Sequence, residues 1–486
     1  MAEQSVPQID FDSNDQSHNV PSSLWAVWWD ALVLLRPAFI QLCSFLWFTV
    51  VVAGITIGTD TLGVTSIVRA LKLHPRCYDS LLKHFHGNAV QLDVLTRLWA
   101  TVVLPRLFAQ PVLCRGRRVL VGDGIKVGKC GKKMPAVRSL HQQSQNKAEY
   151  IMGHSYQAVS ALVYSGCSVV AVPLSIRIHE GLVWCNARKK TLMNKMLDLL
   201  ETVSGNRHFY FVADAYYAAH PIILGLLEHG NHLITRVKTN AVAYTQHVHD
   251  GPRKRGRPRF YDEKVPLASL LKKRDAFQAA PSPLFGEQNV ILHYVVRDLL
   301  WKPVGRLVRF VIVAHPTKGF WFLLSTDTSL EAIEIIRLYG LRFRIELSFK
   351  HAVHTVGTFC YRFWMRGMKP RRFGDSNQYL HRASSEYREA IIRKIHAYHT
   401  FVQAGTIAQG LLLYLSATYP KLVWNSFGSW LRTIRPDVAP SEFVVAQALR
   451  QSLPHFLASY EERHAFTKFI TERQGPENAE MFGIAA

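Results

Sequence analysis

The sequence predicts a mixed α/β protein with helical regions at both ends. Apolar residues recur at helical spacing from Leu24 to about Leu104, and again from about Ser385 onward. Between these regions, runs rich in β-branched and aromatic residues alternate with amphipathic helices. At 486 residues the chain is long enough for two to four structural units.

The composition indicates a polyanionic partner and a reducing compartment. Lysine and arginine number 58 against 35 aspartates and glutamates, for a formal charge of +23. Such an excess favours nucleic acid as the first candidate and an anionic membrane surface as the second. The seven cysteines are scattered and lack a CxxC pair, which predicts reduced thiols in the cytoplasm and no zinc site.

The N-terminal helical region raises two questions. The uncharged stretch from Pro37 to Thr59 is long enough to span a bilayer. It contains Gln41 and Ser44 and continues into amphipathic sequence, so we favour a buried helix pair and expect no membrane partner. Residues 63–86 are compatible with a helix-turn-helix DNA-binding module, although any helical bundle contains such pairs.

The middle of the chain changes its period. Three β-rich runs occupy residues 117–128, 149–163 and 168–179, and an amphipathic helix follows at 190–203. A buried strand then ends at Asp214, and a helix and a further strand follow it. The order β-β-β-α-β-α-β predicts an antiparallel meander joined to later strands by crossovers, which is the order of RNase H-like nuclease folds.

These patterns divide the chain into five regions. Residues 244–327 contain a basic loop, a short helix and three strands, which predict an inserted β-rich subdomain. The full division is a disordered leader at 1–23, a helical DNA-binding domain at 24–112, an RNase H-like catalytic domain at 113–243 with 328–384, the β-rich insertion at 244–327, and a helical region at 385–486.

Two aspartates occupy the ends of predicted strands. Asp123 interrupts the first β run, and Asp214 closes the strand "FYFVAD". A single acid in such a place more simply caps a turn. Two on neighbouring strands would repel each other and favour a shared hard cation such as Mg²⁺. With a third carboxylate from Glu346, they would form a site for two metal ions about 3.5–4 Å apart.

The segment "YGLRFRIELSFK" at 339–350 predicts a helix with one polar stripe, formed by Tyr339, Arg342, Glu346 and Lys350. Taken alone, these residues also fit an exposed ladder of i,i+4 ion pairs.

The residues around the three acids carry a family resemblance. "LVGDGIKVGK", "KAEYIMGHS", "FVADAYY" and the 339–350 segment resemble the DDE transposases of bacterial insertion sequences. The last segment is similar to their Y-(2)-R-(3)-E-(6)-K motif, except that Val353 stands at the lysine position and Lys350 precedes it by one turn. The 132 residues between Asp214 and Glu346 fit the subgroup with a β-rich insertion.

The resemblance implies a function and a set of site residues. Asp123, Asp214 and Glu346 would be catalytic and bind two Mg²⁺ ions, with Mn²⁺ as a substitute. The reactions would be DNA cleavage at transposon ends and strand transfer into target DNA. The implied partners are terminal inverted repeats, target DNA and a second copy of the chain in a synaptic homodimer. The implied location is the nucleoid. The main alternative is a catalytically inactive, transposase-derived DNA-binding protein.

Further residues are candidate DNA contacts. By resemblance, Tyr339 and Arg342 would grip the DNA end, and Lys350 would supply the missing lysine's charge. Lys126 follows the first aspartate and would contact phosphate.

Two more segments combine positive charge with other recognition signals. Within residues 251–265, "RGRP" resembles an AT-hook that would lay Arg255, Arg257 and Arg259 into a minor groove, although a solvated basic loop is an open alternative. Phe363 and Trp364 lie among arginines, where we favour core packing over base stacking.

Overall fold

The computed structural model describes residues 23–142, 148–166, 168–185, 190–247, 260–430, 433–459 and 465–475. Arg255, Arg257 and Arg259 lie outside these ranges, as does the predicted leader up to residue 22.

In the described residues, six α-helices precede the sheet. Ser23 caps the first of them by accepting a hydrogen bond of 3.1 Å from the backbone N–H of Ala26. The helices are α1 Leu24–Val33, α2 Leu42–Ile57, α3 Val64–Ala70, α4 Cys77–His86, α5 Leu92–Leu98 and α6 Leu104–Leu107.

The uncharged stretch of the sequence folds mainly into α2. This helix is apolar on all sides and almost wholly buried from Phe45 to Ile57, as expected of a helix inside a protein core. Among the described helices, none has both the length and the apolar character needed to cross a membrane. The sequence predicted a helix pair here, whereas the structure has one helix that begins at Leu42.

The described strands are β1 Leu113–Cys114, β2 Arg117–Gly128, β3 Arg138–His141, β4 Tyr150–Ser165, β5 Ser168–Ile178, β6 Leu182–Val183, β7 Phe209–Ala213, β8 His232–Arg236, β9 Val242–Gln246, β10 Tyr261–Pro266, β11 Gln278–Pro281, β12 Ile291–Trp301, β13 Arg306–His315, β14 Gly319–Ser325 and β15 Gln378–Tyr379. All of them join one large sheet except β6 and β15, which pair with each other. Helices α7 Leu192–Ser204, α8 His220–Glu228, α9 Ala332–Gly340 and α10 Arg344–His351 lie between them in sequence.

The central strands have the predicted order. They lie as β5-β4-β2-β7-β8, with antiparallel pairing among β5, β4 and β2 and parallel pairing among β2, β7 and β8. Helices α7 and α8 form the two crossovers, which are needed because parallel neighbours cannot be joined by a tight hairpin. The prediction of a mixed α/β, RNase H-like core is confirmed.

The strands from 242 to 325 extend the same sheet. β14 pairs with β8, and the order continues outward through β13, β12, β9 and β10. The sequence predicted one strand across residues 231–244, but the structure divides this stretch into β8 and β9. The β-rich insertion therefore shares backbone hydrogen bonds with the core.

The helix that carries the third acid is interrupted. A tight 3₁₀ turn at Leu341–Phe343 separates α9 from α10, where the sequence predicted one continuous helix. Gly340 ends α9, and a Cβ at this position would lie 2.3 Å from Leu284 Cδ2. Gly340 thus leaves room for the tip of the Leu284 side chain, and glycine is itself a poor helix former.

The described residues after β15 contain four α-helices: α11 Ser385–Thr418, α12 Pro420–Phe427, α13 Glu442–Ala458 and α14 Ala465–Thr471. The long α11 packs against β5 on one side and against α2 and α4 on another. The buried guanidinium of Arg177, on β5, connects α5 and α11. It donates to Thr96 Oγ1 at 2.6 Å and to Gln403 Oε1 at 2.9 Å. Both helical regions therefore share a single hydrophobic core with the sheet.

Candidate active site

Asp123 and Asp214 lie side by side where the pairing between β2 and β7 ends. Gly122 of β2 is in parallel register with Ala213 of β7, and each aspartate is the next residue along its strand. Neighbouring strands are about 4.8 Å apart, so the two carboxylates leave the sheet at the same level.

Gly122 allows this arrangement. A Cβ at Gly122 would lie 2.4 Å from the ring of Phe211, which is fully buried in β7. The absence of a side chain therefore lets the aromatic ring pack directly beneath the strand that presents Asp123. In the sequence "GDG", the first glycine therefore stands where the Phe211 ring of the neighbouring strand comes closest to β2.

Backbone and hydroxyl groups fix both aspartates. The N–H of Gly124 donates to Asp123 Oδ1 at 2.7 Å, and the N–H of Tyr216 donates to Asp214 Oδ1 at 3.2 Å. The hydroxyl of Thr235, from β8, donates to the backbone oxygen of Asp214 at 2.7 Å. Burial raises the pKa of both aspartates above the ordinary value, because desolvation disfavours the charged carboxylate.

Arg342 joins the first and third acids. Its Nη1 donates to Asp123 Oδ2 and its Nη2 donates to Glu346 Oε1, both at 2.7 Å. Burial by itself lowers the pKa of the guanidinium, but Asp123, Tyr339 and Glu346 together raise that pKa above its ordinary value. The charge of Arg342 also opposes the burial that raises the pKa of Asp214. One internal cation therefore acts on all three carboxylates.

Helix α10 is held in place through its buried side and by a hydrogen bond from α11. Ile345 and Ser348 are buried on either side of Glu346, whose own side chain is 57% exposed. The amide of Gln409, on α11, donates to the backbone oxygen of Ser348 at 2.9 Å. The third acid is thus held on a fixed helix with its carboxylate at the surface.

A comparison with known protein families agrees with this geometry. Residues 47–282, slightly less than half of the chain, match the family model described as DDE superfamily endonuclease. This segment is therefore similar to DDE superfamily endonuclease domains. The match includes Asp123 and Asp214, whereas Glu346 lies beyond it. No curated protein matches the chain.

The family assigns a general chemistry. A DDE endonuclease domain is a nuclease-type domain whose substrate is DNA, and such domains generally use divalent metal ions. In the described part of the chain, no three histidine, cysteine or acidic side chains are arranged to hold a metal ion as they stand. The three predicted acids, Asp123, Asp214 and Glu346, are called the trio below, and the guanidinium of Arg342 bonds to two of their carboxylates.

The trio nevertheless fits a divalent ion by its donor chemistry. All the donors are carboxylate oxygens, which Mg²⁺ prefers. Burial raises the pKa of Asp123 and of Asp214, and the charges of Asp214 and Glu346 raise the pKa of Asp123 further. A cluster of this kind is stabilised by a cation, and in this structure the cation is Arg342.

The other residues predicted for the DDE domain lie at different distances from the trio. Tyr339 is half-buried beside Arg342. Burial raises the pKa of Tyr339, and the charges of Arg342 and Arg236 oppose this shift.

The predicted lysines and Val353 lie farther along the structure. Lys350 is exposed on α10. Val353 lies in a π-helical turn and packs against the core. The ammonium group of Lys126 donates to the backbone oxygen of His141 at 2.6 Å, so this side chain is directed along the sheet, away from the trio.

Arg236 was not predicted from the sequence. It closes β8, the strand next to Asp214, and its charge acts on Tyr339. A signal was present, because "HLITR" ends in a charged residue after an apolar strand, as "FYFVAD" does. Arg236 therefore adds a second guanidinium at the edge of the sheet that presents the trio.

Proposed function

We propose that the chain is a transposase that cleaves DNA at transposon ends and joins the freed ends to target DNA. The observation that carries the proposal is the convergence of Asp123, Asp214 and Glu346 around Arg342. Two residues come from adjacent parallel strands and the third from a helix more than a hundred residues later. The matched DDE family supports the nuclease part of this function.

Asp123, Asp214 and Glu346 would hold two Mg²⁺ ions, for which Mn²⁺ would substitute. When bound, the ions supply Lewis-acid stabilisation of the attacking and leaving oxygens in phosphoryl transfer. In the first reaction, an oxygen of water bonds to phosphorus and the bond to the 3′ oxygen breaks, which leaves a 3′-hydroxyl. In the second, that hydroxyl attacks a phosphodiester of target DNA, and the displaced oxygen departs with a proton.

The residues around the trio would orient the DNA. On binding DNA, Arg342 exchanges its carboxylate partners for a backbone phosphate. The two parallel N–H donors of its planar guanidinium fit a phosphate as well as a carboxylate. Tyr339 and Arg236 interact electrostatically with each other, and Tyr339 interacts likewise with Arg342, so both would lie near the same phosphate. Lys350 projects from the exposed face of α10, where its charge would contact the next phosphate. Each of these groups acts on the DNA backbone, so together they position the strand without reading its sequence.

The flanking regions would supply recognition and assembly. Helices α3 and α4 are joined by a short turn, and α4 exposes Tyr78 and Lys83 to solvent. We assign this pair to the terminal inverted repeats and the C-terminal helices to contacts within a homodimer that brings two ends together. Such a protein would work on the DNA of a bacterial nucleoid.

The test is cleavage of a duplex that carries the terminal sequence of the chain's own DNA element, in the presence of Mg²⁺. Wild type should cleave, and Asp214→Asn should lose about a thousandfold in rate, equivalent to ~4 kcal/mol of barrier. Asp198→Asn is the matched control, because Asp198 lies on α7 and is paired with Lys190 at the surface. Equal cleavage by wild type and Asp214→Asn would contradict the assignment of Asp214 as a metal ligand. Binding without any cleavage would favour an inactive DNA-binding protein.

A further inference from the structure

Residues 362–382 form a second surface rich in positive charge. This segment, "RFWMRGMKPRRFGDSNQYLHR", carries six arginines and lysines and a single acid, Asp375. Arg371 pairs with that acid at 3.5 Å. Within the described residues, the other five cations form no ion pair; they are Arg362, Arg366, Lys369, Arg372 and Arg382.

The apolar residues of the segment divide into two groups. Phe363, Met368 and Leu380 are buried, at 5% exposure or less. Three aromatic side chains are instead strongly exposed: Trp364 at 59%, Phe373 at 72% and Tyr379 at 54%. The sequence favoured core packing for Phe363 and Trp364, which is right for Phe363 and wrong for Trp364. Exposed aromatic rings among unpaired cations are the composition of surfaces that bind nucleic acid.

The segment is firmly held although it has little regular structure. The N–H groups of Met365 and Arg371 donate to the backbone oxygens of Lys133 and Lys132 at 2.9 and 2.6 Å. Farther along, Gln378 and Tyr379 form a parallel pair with β6. A backbone fixed at both ends presents its aromatic and cationic side chains at defined places, so their exposure is a property of the fold.

The segment lies between the catalytic strand and the helical N-terminal region. Lys129, directly after β2, donates to the backbone oxygen of Tyr361 at 3.4 Å. On the other side, the ring of Phe363 packs 5.2 Å from Phe85 and 5.0 Å from His86, both on α4. Asp123 is five residues from the end of β2, a distance of about 17 Å along the strand. That length corresponds to about five base pairs of B-DNA.

We propose that the 362–382 segment binds duplex DNA between the trio and α4. Its unpaired cations would contact phosphates, and Trp364, Phe373 and Tyr379 would pack against sugars and base edges. The inference rests on the proposed function, because that function places the DNA end at the trio and the inverted repeat on α4. Charge complementarity identifies the partner: a segment with a net charge of +5 fits a polyanion.

The main test measures DNA binding without catalysis. Fluorescence anisotropy in EDTA would follow binding of a duplex of about 40 base pairs and arbitrary sequence, across salt from about 50 to about 200 mM. The triple variant Arg366→Gln, Lys369→Gln, Arg372→Gln should bind at least about tenfold more weakly, and its salt slope should fall by ~0.9 for each phosphate that is no longer neutralised. The double variant Trp364→Ala, Phe373→Ala should weaken binding severalfold without changing the slope, since no charge is removed.

A matched triple variant removes the same charge elsewhere. Arg97→Gln, Arg106→Gln, Arg207→Gln changes three exposed cations, on α5, on α6 and just before β7, and it should bind as wild type does. The inference is overturned if the 362–382 triple variant keeps the wild-type affinity and slope, or if this control triple variant loses as much. Thermal unfolding of each variant shows that the fold is intact.

A hydroxyl-radical footprint locates the contact on the duplex that carries the element's end. Wild type should protect sugars about five base pairs from the cleaved phosphate, and the triple variant should lose that protection alone. Protection that is unchanged there would contradict the placement of the segment. A wild-type protein that binds with the expected salt slope but never cleaves would refute the proposed function and leave the binding surface intact.

Discussion

The guanidinium of Arg342 lies 2.7 Å from Asp123 Oδ2, although 219 residues separate the two in sequence. The same group reaches Glu346 within its own helical turn. Both Arg342 and Asp123 are about four-fifths buried, so the pair is shielded from solvent. An arginine that was predicted to bind DNA is, in this structure, the counter-charge of the acids.

Removal of this counter-charge should lower the stability of the protein and make that stability depend more strongly on an added cation. We expect Arg342→Gln in EDTA to lower the free energy of unfolding by about 1–2 kcal/mol, because a buried charge-assisted hydrogen bond is removed. Millimolar Mg²⁺ should then raise the melting temperature of the variant more than that of wild type. Arg393→Gln, which breaks an exposed pair with Glu389, is the control and should change stability by less than about 0.5 kcal/mol. Equal Mg²⁺ shifts in wild type and Arg342→Gln would contradict the exchange of arginine for metal.

Gly122→Ala should disturb Asp123 through packing alone. The added methyl group would meet the Phe211 ring at 2.4 Å, and overpacking of this kind costs about 1–3 kcal/mol. Urea unfolding measures the cost, and cleavage of the end duplex measures the displacement of the carboxylate. Phe211→Leu in the same chain should recover part of both losses, since the two changes share one space. Strictly additive effects would show that the contact does not limit the position of Asp123.

Lys350 should carry the charge that Val353 lacks. We expect Lys350→Gln to weaken binding of the end duplex by about tenfold, which corresponds to roughly one charged interaction with phosphate. Val353→Lys should not compensate, because Val353 packs against the core and a lysine there would cost stability. The double variant Lys350→Gln, Val353→Lys therefore binds no better than Lys350→Gln in a filter-binding or anisotropy assay. Recovery of wild-type affinity would show that position 353 is the effective lysine site.

The contact between His351 and Glu442 should make stability depend on pH. Its hydrogen bond to Glu442 raises the pKa of His351 above its ordinary value of 6.5, against burial and the charge of Lys350. A raised folded-state pKa contributes stability that is complete below pH 6.5 and is lost as pH rises through the folded pKa.

Glu442→Gln should therefore be less stable than wild type by about 1 kcal/mol near pH 5.5, where His351 is charged, and the difference should shrink toward pH 8.5. Urea unfolding across this range measures the difference, with the exposed Glu389→Gln as control. A difference that is constant with pH would mean that the contact is not an ion pair.

The positions of Asp123 and Asp214 were predictable because their sequence signals are local, although Asp123 lies within β2 and not at its end as predicted. Asp123 and Asp214 each follow a run of buried β-branched or aromatic residues, and an acid there stands out against its neighbours. The order of the strands then places the two side by side without any knowledge of side-chain contacts. Glu346 needed the family motif, because its own helix fits an exposed ion-pair ladder equally well.

The interruption at Leu341–Phe343 was not predictable from the motif. Gly340, next to the turn, lies against the tip of the Leu284 side chain from the insertion, and the motif does not encode such a contact. The pairing of β14 with β8 depends in the same way on a contact between separate segments. Trp364 was misjudged because aromatic residues usually lie in cores, and its exposure depends on how the 362–382 segment is held at Lys132 and Lys133.

The continuity of the sheet has a mechanical consequence. An insertion connected only by loops would pivot freely when DNA pulls on it. Here β14 shares backbone hydrogen bonds with β8, and β8 shares them with β7, the strand that ends at Asp214. A force applied by DNA to the insertion would pass through two rows of hydrogen bonds and reach Asp214 without crossing a hinge. If the proposed function holds, tension in the bound duplex would therefore change the relative positions of the proposed metal ligands.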